Sequence, residues 1–329
     1  MAANLTPQYL EAEAAYKKAQ TAEERLEHLR KMWSLLPKHK ASEKLQAELK
    51  KKISDTRDEV EHDKKSPKKG GVSYKIPRQG AGQYVVIGPP NVGKSRLLTR
   101  MTRATPEVAP YPFTTHDPTP GMMDWQDAKV QLIDTPPITG DYLEPWLSSM
   151  VRTADAAILV LDIGDDDGPF AAEAVLERLA QTKTILVGQP PVEEDLTIQH
   201  VRTMLVANKI DLLGAEDRLA VVRDLYEKRF PIHVISAEHG QGLEDFRDAA
   251  YKFLNVIRVY TKKPGKPPDM ASPFCLPLGS TIVDLATHVH RDLASQLKTA
   301  KLWGTGVFDG QAVPRDHVLH DRDVVELHS

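Results

Sequence analysis

Cysteine is almost absent from the chain: Cys275 stands alone among 329 residues. One thiol cannot close an internal disulfide, which excludes a disulfide-stapled scaffold and fits a reducing compartment. Cys275 itself, between Pro273 and Pro277 in a strand-like stretch, reads as a packing residue rather than a nucleophile. Long hydrophobic runs are missing too. The longest, Ala156 to Leu161, is far short of the roughly 20 apolar residues of a membrane-spanning helix, so no membrane partner is expected. The opening MAANLTPQYL lacks the basic-then-apolar layout of a signal peptide, and the expected location is cytoplasmic. Charge of one sign is not in excess either, at net −3 with 27% charged residues. The average charge therefore carries no nucleic-acid signature, and none for DNA; such a partner would have to meet a local patch.

What is present is length and a change of pattern along it. A chain of 329 residues suits two or three domains. Residues 1–63 read as a helical segment. Thr6 before Pro7 starts one helix, and Thr21 with Glu24 forms a capping box for a second. Leu26, Leu29, Trp33 and Leu36 recur at helical spacing, as do Leu45, Leu49 and Ile53. These stripes pack on each other, on a neighbouring domain, or on a dedicated partner. Residues 64–81 read as a linker rich in Lys, Gly and Ser. Lys50, Lys51, Lys52, Lys64, Lys65, Lys68, Lys69 and Lys75 make its neighbourhood basic, either as a solvated spacer or as a contact to a phosphate backbone.

From 82 to 255, buried-type strand runs at 84–88, 130–134, 156–163, 203–209 and 232–236 alternate with helical stretches near 94–103, 170–181, 215–228 and 243–255. That alternation predicts an α/β domain: a mostly parallel sheet with helices on both faces. Residues 256–329 change again, to short strands, one helix over 281–293 and an Asp309-Gly310 turn, which predicts a small mixed sheet holding one helix.

The chemistry sits in the middle domain. Gly88 to Ser95, GPPNVGKS, follows a strand and opens a helix, which is the context in which G-x-x-x-x-G-K-[ST] means a phosphate-binding loop. Backbone N–H groups from Gly88 through Val92 and Gly93 to Arg96 would wrap the phosphates, Lys94 would neutralise the β and γ groups, and the Ser95 hydroxyl would hold Mg²⁺. Asn208, Lys209 and Asp211 form NKID after a strand. A carboxylate there can accept two hydrogen bonds from guanine that adenine cannot offer. Ser236 and Ala237 after the next strand would brace that loop and give the Ala237 N–H to guanine O6. Asp134 ends an apolar strand where a carboxylate can reach Mg²⁺, and Thr114 or Thr115 in the intervening loop would complete the metal shell. The histidines carry no metal-ligand spacing: His288 and His290 lie two apart on the expected helix and point to different sides.

GPPNVGKS, PYPFTTHDPTPG, DTPP, NKID and ISAEHGQGL resemble the Obg/DRG (developmentally regulated GTP-binding) branch of P-loop GTPases. The tail from Val259 to His328 resembles the TGS domain of DRG-type proteins, a β-grasp fold, and LPKHKASEKLQAELKKKI is similar to their helical lead-in. The resemblance implies GTP and GDP binding and Mg²⁺-dependent hydrolysis on or near ribosomes, with the TGS-like domain contacting ribosome, RNA or a protein partner. The basic linker is the other expected ribosome or RNA contact, and the departures below make slow hydrolysis the expectation. The resemblance further implies Thr115, with Lys94, as catalytic and Thr115 as the metal-binding threonine. It also implies a possible K⁺ at Asn91, for which plain loop geometry is the alternative. Two departures stand out. Pro137 replaces the glycine of D-x-x-G, and proline has no N–H for the γ-phosphate. Ile138 follows, so no side-chain base stands there. A non-hydrolysing, nucleotide-dependent binding module therefore stays open as the alternative.

Overall fold

The computed structural model describes residues 6–19, 22–36, 43–65, 74, 76–102, 117–191 and 197–328. Helix α1 (Pro7–Lys18) starts as its sequence dictates: the Thr6 side chain accepts the Tyr9 N–H and Pro7 takes the first turn. Helices α2 (Ala22–Leu35) and α3 (Glu43–Lys65) follow, and α1 and α3 both pack on α2. Tyr9, Ala12, Leu29, Met32, Leu36 and Leu49 close one core, with Trp33, Leu45 and Ile53 at its edge. The stripes thus pack on each other. Thr21, Pro37, Lys68, Lys69 and Lys75 lie outside the described residues. Helix α3 runs two residues past the expected boundary at 63. Lys52, assigned above to a basic surface, is instead 6% exposed with its ammonium 4.8 Å over the Tyr16 ring, because it falls on the inner face of α3.

The middle domain is built on β1 (Gln83–Ile87), β2 (Thr119–Trp125), β3 (Ala128–Asp134), β4 (Ala156–Asp162), β5 (Thr184–Val187), β6 (Gln199–Asn208) and β7 (Ile232–Ile235), in the order β2-β3-β1-β4-β6-β5 with β7 also on β6. All pairs are parallel except β2 with β3. The apolar run of β4 hides a period of two: Ala157, Leu159 and Leu161 enter the core on one face, Ala156, Ile158 and Val160 the core on the other. Helices α4 (Lys94–Met101) and α8 (Leu243–Phe253) cover one face, and α5 (Leu147–Thr153), α6 (Ala171–Gln181) and α7 (Ala215–Tyr226) the other. Strands β2 and β5 and helix α5 were not expected. β2 carries Pro120 and Gly121, which read as loop, and becomes a strand by pairing antiparallel with β3.

The last domain is a five-stranded mixed sheet, β11-β10-β12-β8-β9, from β8 (Val256–Thr261), β9 (Phe274–Pro277), β10 (Thr299–Trp303), β11 (Gln311–Val313) and β12 (Asp323–His328). Helix α9 (Ile282–Val289) opens on a Thr281–Asp284 capping box and buries Ile282, Leu285 and Ala286 against the sheet. The single helix expected over 281–293 is two. His290 leaves helical geometry, and its side chain accepts the Asp292 N–H to cap α10 (Arg291–Gln296). Cys275, on β9, packs at the edge of a core, and burial pushes its thiol up to about 11, as befits a packing residue.

The two sheets are latched together. Arg258 on β8 bonds Gln126 and Asp127 in the β2–β3 turn at 2.7 Å each and Asp321 at 2.7 Å, with its guanidinium 5.0 Å from the Trp125 ring. Tyr260 donates to Asp127 as well. Among the described residues no helix is long and apolar enough to cross a membrane.

Candidate nucleotide site

Five loops meet at the C-terminal ends of the parallel strands, where an open α/β sheet places its ligands. Gly88 leaves β1 at φ 150, and a Cβ there would stand 2.4 Å from the Val160 carbonyl oxygen. Gly93, at φ 93, ends the loop; a Cβ would stand 2.4 Å from Asn208 Nδ2. Only glycine fits either position. Lys94 opens α4 almost wholly buried, and its Nζ donates to Gly88 O at 3.2 Å and Pro89 O at 2.8 Å. Burial draws its pKa down to about 8, partly opposed by the Asp134 carboxylate. Asn91 sits exposed at φ 59, a left-handed conformation that asparagine tolerates.

Ser95 donates its hydroxyl to Asp134 Oδ2 at 2.5 Å, and Asp134 is wholly buried at the end of β3. A carboxylate and a hydroxyl, both hard oxygen donors, facing each other in this way fit Mg²⁺. Thr114 and Thr115 lie outside the described residues. After Asp134 the chain is pinned. Thr135 donates to Val86 O at 2.8 Å, the Ile138 N–H donates to Gly88 O at 3.1 Å, and the Ile138 side chain is wholly inside the core.

On the other side Asn208 staples two loops, donating to Val92 O at 2.8 Å and accepting the Ala237 N–H at 2.9 Å. The Ala237 N–H is thus donated to a side chain, and a guanine O6 would share it. The Ser236 hydroxyl accepts the His239 N–H at 3.0 Å and braces the loop, as expected. Asp211 stands 3.5 Å from His239 Nε2. Lys209, at φ 73, pairs with Asp162 at the end of β4. The Arg96 guanidinium is held by Glu238 at 2.8 and 2.5 Å, and its backbone N–H stays the group for a phosphate. Asp162, Glu238 and His239 were missed. Asp162 ends an apolar strand just as Asp134 does, a signal that could have found it; the other two meet their partners only through folding.

Residues 83–209 match the family described as 50S ribosome-binding GTPase, and residues 257–329 match the TGS domain. The chain is similar to the developmentally-regulated GTP-binding protein 2 homolog of Dictyostelium discoideum, 27% identical over 92% of this chain and 98% of that one. It is also similar to developmentally-regulated GTP-binding protein 1 of Xenopus laevis, 27% identical over 78% and 85%. A solved GTP binding protein from Pyrococcus horikoshii OT3 overlays at a TM-score of 0.49 with 18% identity, covering 75% of this chain and 99% of its own.

Proposed function

Since the chain belongs to the DRG-type GTPases with a TGS domain, we propose that it binds GTP and GDP and hydrolyses GTP slowly, in the cytoplasm, on or near ribosomes. The observation that carries this reading is the convergence of Lys94, Ser95 and Asp134 with the Asn208 staple at one end of the sheet. In it, Lys94 exchanges two loop carbonyls for phosphate oxygens, and Asp211 selects guanine by accepting its two donors. Ser95 and Asp134, with Thr115, would hold Mg²⁺, which supplies positive charge against the phosphates. With Ile138 buried, rate must come from positioning and charge rather than from a side-chain base there. K⁺ at Asn91 would add charge, and replacing K⁺ by Na⁺ in the assay tests it.

Pro137 and the bonded Ile138 N–H favour a second reading, a module that uses nucleotide only to set partner affinity. Phosphate release with and without ribosomes separates the two. The nucleotide assignment is tested by Asp211→Asn, expected to weaken GTP by about 1.5–3 kcal/mol, roughly ten- to a hundred-fold. Equal affinity in the variant, or ATP bound as tightly as GTP by the parent, would overturn it. The TGS-like domain and basic linker are the proposed ribosome or RNA contact. Co-sedimentation should weaken steeply with salt and drop on deleting 257–329. Undiminished sedimentation of the shortened chain removes that domain from the contact.

A further inference from the structure

A cleft of about 1230 Å³ opens at the end of the large sheet opposite the nucleotide loops. Its walls are the first halves of β6 and β7, the end of β5, the turn that follows α7 and the last turn of α8. It is cationic: Arg202, Lys228, Arg229 and Lys252 line it against Glu227. Lys228 and Lys252 lie at helix C-terminal ends, where a cation complements the helix dipole, and by themselves ask for no ligand. Arg202 has no such reason. It stands on β6, half-buried, with its guanidinium 4.3 Å over the Phe253 ring. Among the described residues no carboxylate comes within ion-pair distance of Arg202 or Arg229, whereas Lys252 has Asp248 at 3.9 Å. A partly desolvated cation without a counter-charge is costly, and burial already pulls the Arg202 pKa down. Arg229, at the exposed rim, also lies over a ring, 5.1 Å from the centre of Phe230.

We propose that this cleft binds a single-stranded RNA segment, with phosphates on Arg202, Arg229 and Lys228 and bases stacked on the two ring-backed guanidinium groups. Three features favour this. A drug-sized ligand needs roughly 300–1,000 Å³, so the cleft is large for a mononucleotide. A guanidinium laid over a ring offers its other face to a base, the usual way that unpaired RNA is read. A carboxylate of an acidic peptide gains nothing from that face, since it needs the edge of the fork. The contact is separate from the nucleotide site, the TGS-like domain and the linker, and stands or falls without them.

The test is fluorescence anisotropy of the full chain with a short labelled oligouridine, an acidic peptide of equal charge and inorganic phosphate as competitor. Arg202→Gln with Arg229→Gln should weaken RNA at least about tenfold and flatten the salt dependence by about one phosphate contact or more. Arg202→Lys should keep the salt slope and still lose several-fold, because the plane is gone. GTP affinity, unchanged in both, reports that the domain is folded; if the double variant fails that control, Lys228→Gln at the exposed rim carries the same expectation at a smaller size. Equal RNA affinity in parent and variants overturns the proposal. So does tighter binding of the peptide, or displacement by phosphate at matched concentration.

Discussion

Lys94 carries an ammonium into a site with 7% exposure, where its hydrogen-bond partners among the described residues are two loop carbonyls. Below a pH of about 8 it is charged in both folded and unfolded chains, and the burial cost is in force. Between about 8 and its ordinary 10.5 the unfolded chain holds more protons, so this group makes the fold more stable as pH rises through that window. Nucleotide phosphates act the other way and restore the proton. GTP binding at pH 8.5 is therefore expected to take up a fraction of a proton, and affinity to fall above pH 8. Calorimetry in two buffers of different ionisation enthalpy measures the uptake; none at all means the ammonium was never shifted. Pro137 is the other decisive residue. The neighbouring Ile138 N–H, which could have stood in for the missing donor, is bonded to Gly88 and its side chain is locked in the core. Pro137→Gly is expected to raise GTP-over-GDP preference by about ten- to a hundred-fold, the worth of one hydrogen bond to a charged group. An unchanged ratio in paired titrations rules that out.

At the scale of elements, β4 shows how much a short run can hold. Its alternate residues feed two separate cores, so Ile158→Ala opens a cavity on one face while Leu159 still anchors the other. A loss of about 2–5 kcal/mol in urea unfolding is expected, with nucleotide contacts intact in the folded fraction. Three of the strands legible in the sequence, β1, β3 and β4, are buried on nearly every residue, because a continuous apolar run needs no partner to be seen; β7 was legible too, though only half-buried. β2 and β5 were not legible. β2 carries Pro120 and Gly121 and becomes a strand only when β3 offers hydrogen bonds, while β5 is a mostly apolar run of just four residues whose pairing with β6 decides it. The broken C-terminal helix was missed for a similar reason: His290 caps α10 with its own ring nitrogen, which apolar spacing does not report.

For the whole molecule, the Arg258 cluster decides how the domains sit. The β2–β3 turn it grips joins β2 to the strand that ends in Asp134. Arg258→Met would leave Asp127 facing Asp321 with no cation between them. The expected cost is about 3 kcal/mol, the low end for a broken buried pair, since both carboxylates keep contact with water. Amide exchange in the β2–β3 turn and in β8 should speed up together. Unaltered exchange in both would show that packing alone holds the domains.

The sequence by itself determined the P-loop, the NKID tetrapeptide at the end of its strand, the carboxylate at Asp134 and the two sheet-bearing domains. Each is written in consecutive residues, as glycine where no Cβ fits, as a donor or acceptor at fixed spacing, or as apolar periodicity. Only the tertiary structure decided that Asn208 takes the Ala237 N–H, that Glu238 takes the Arg96 side chain, that Ile138 seals the segment after Pro137, and that Arg258 and Arg202 meet the partners they do. Those pairings join residues 29 to 142 positions apart. No local pattern encodes them, because which polar groups are left to find each other is settled only once the cores have closed.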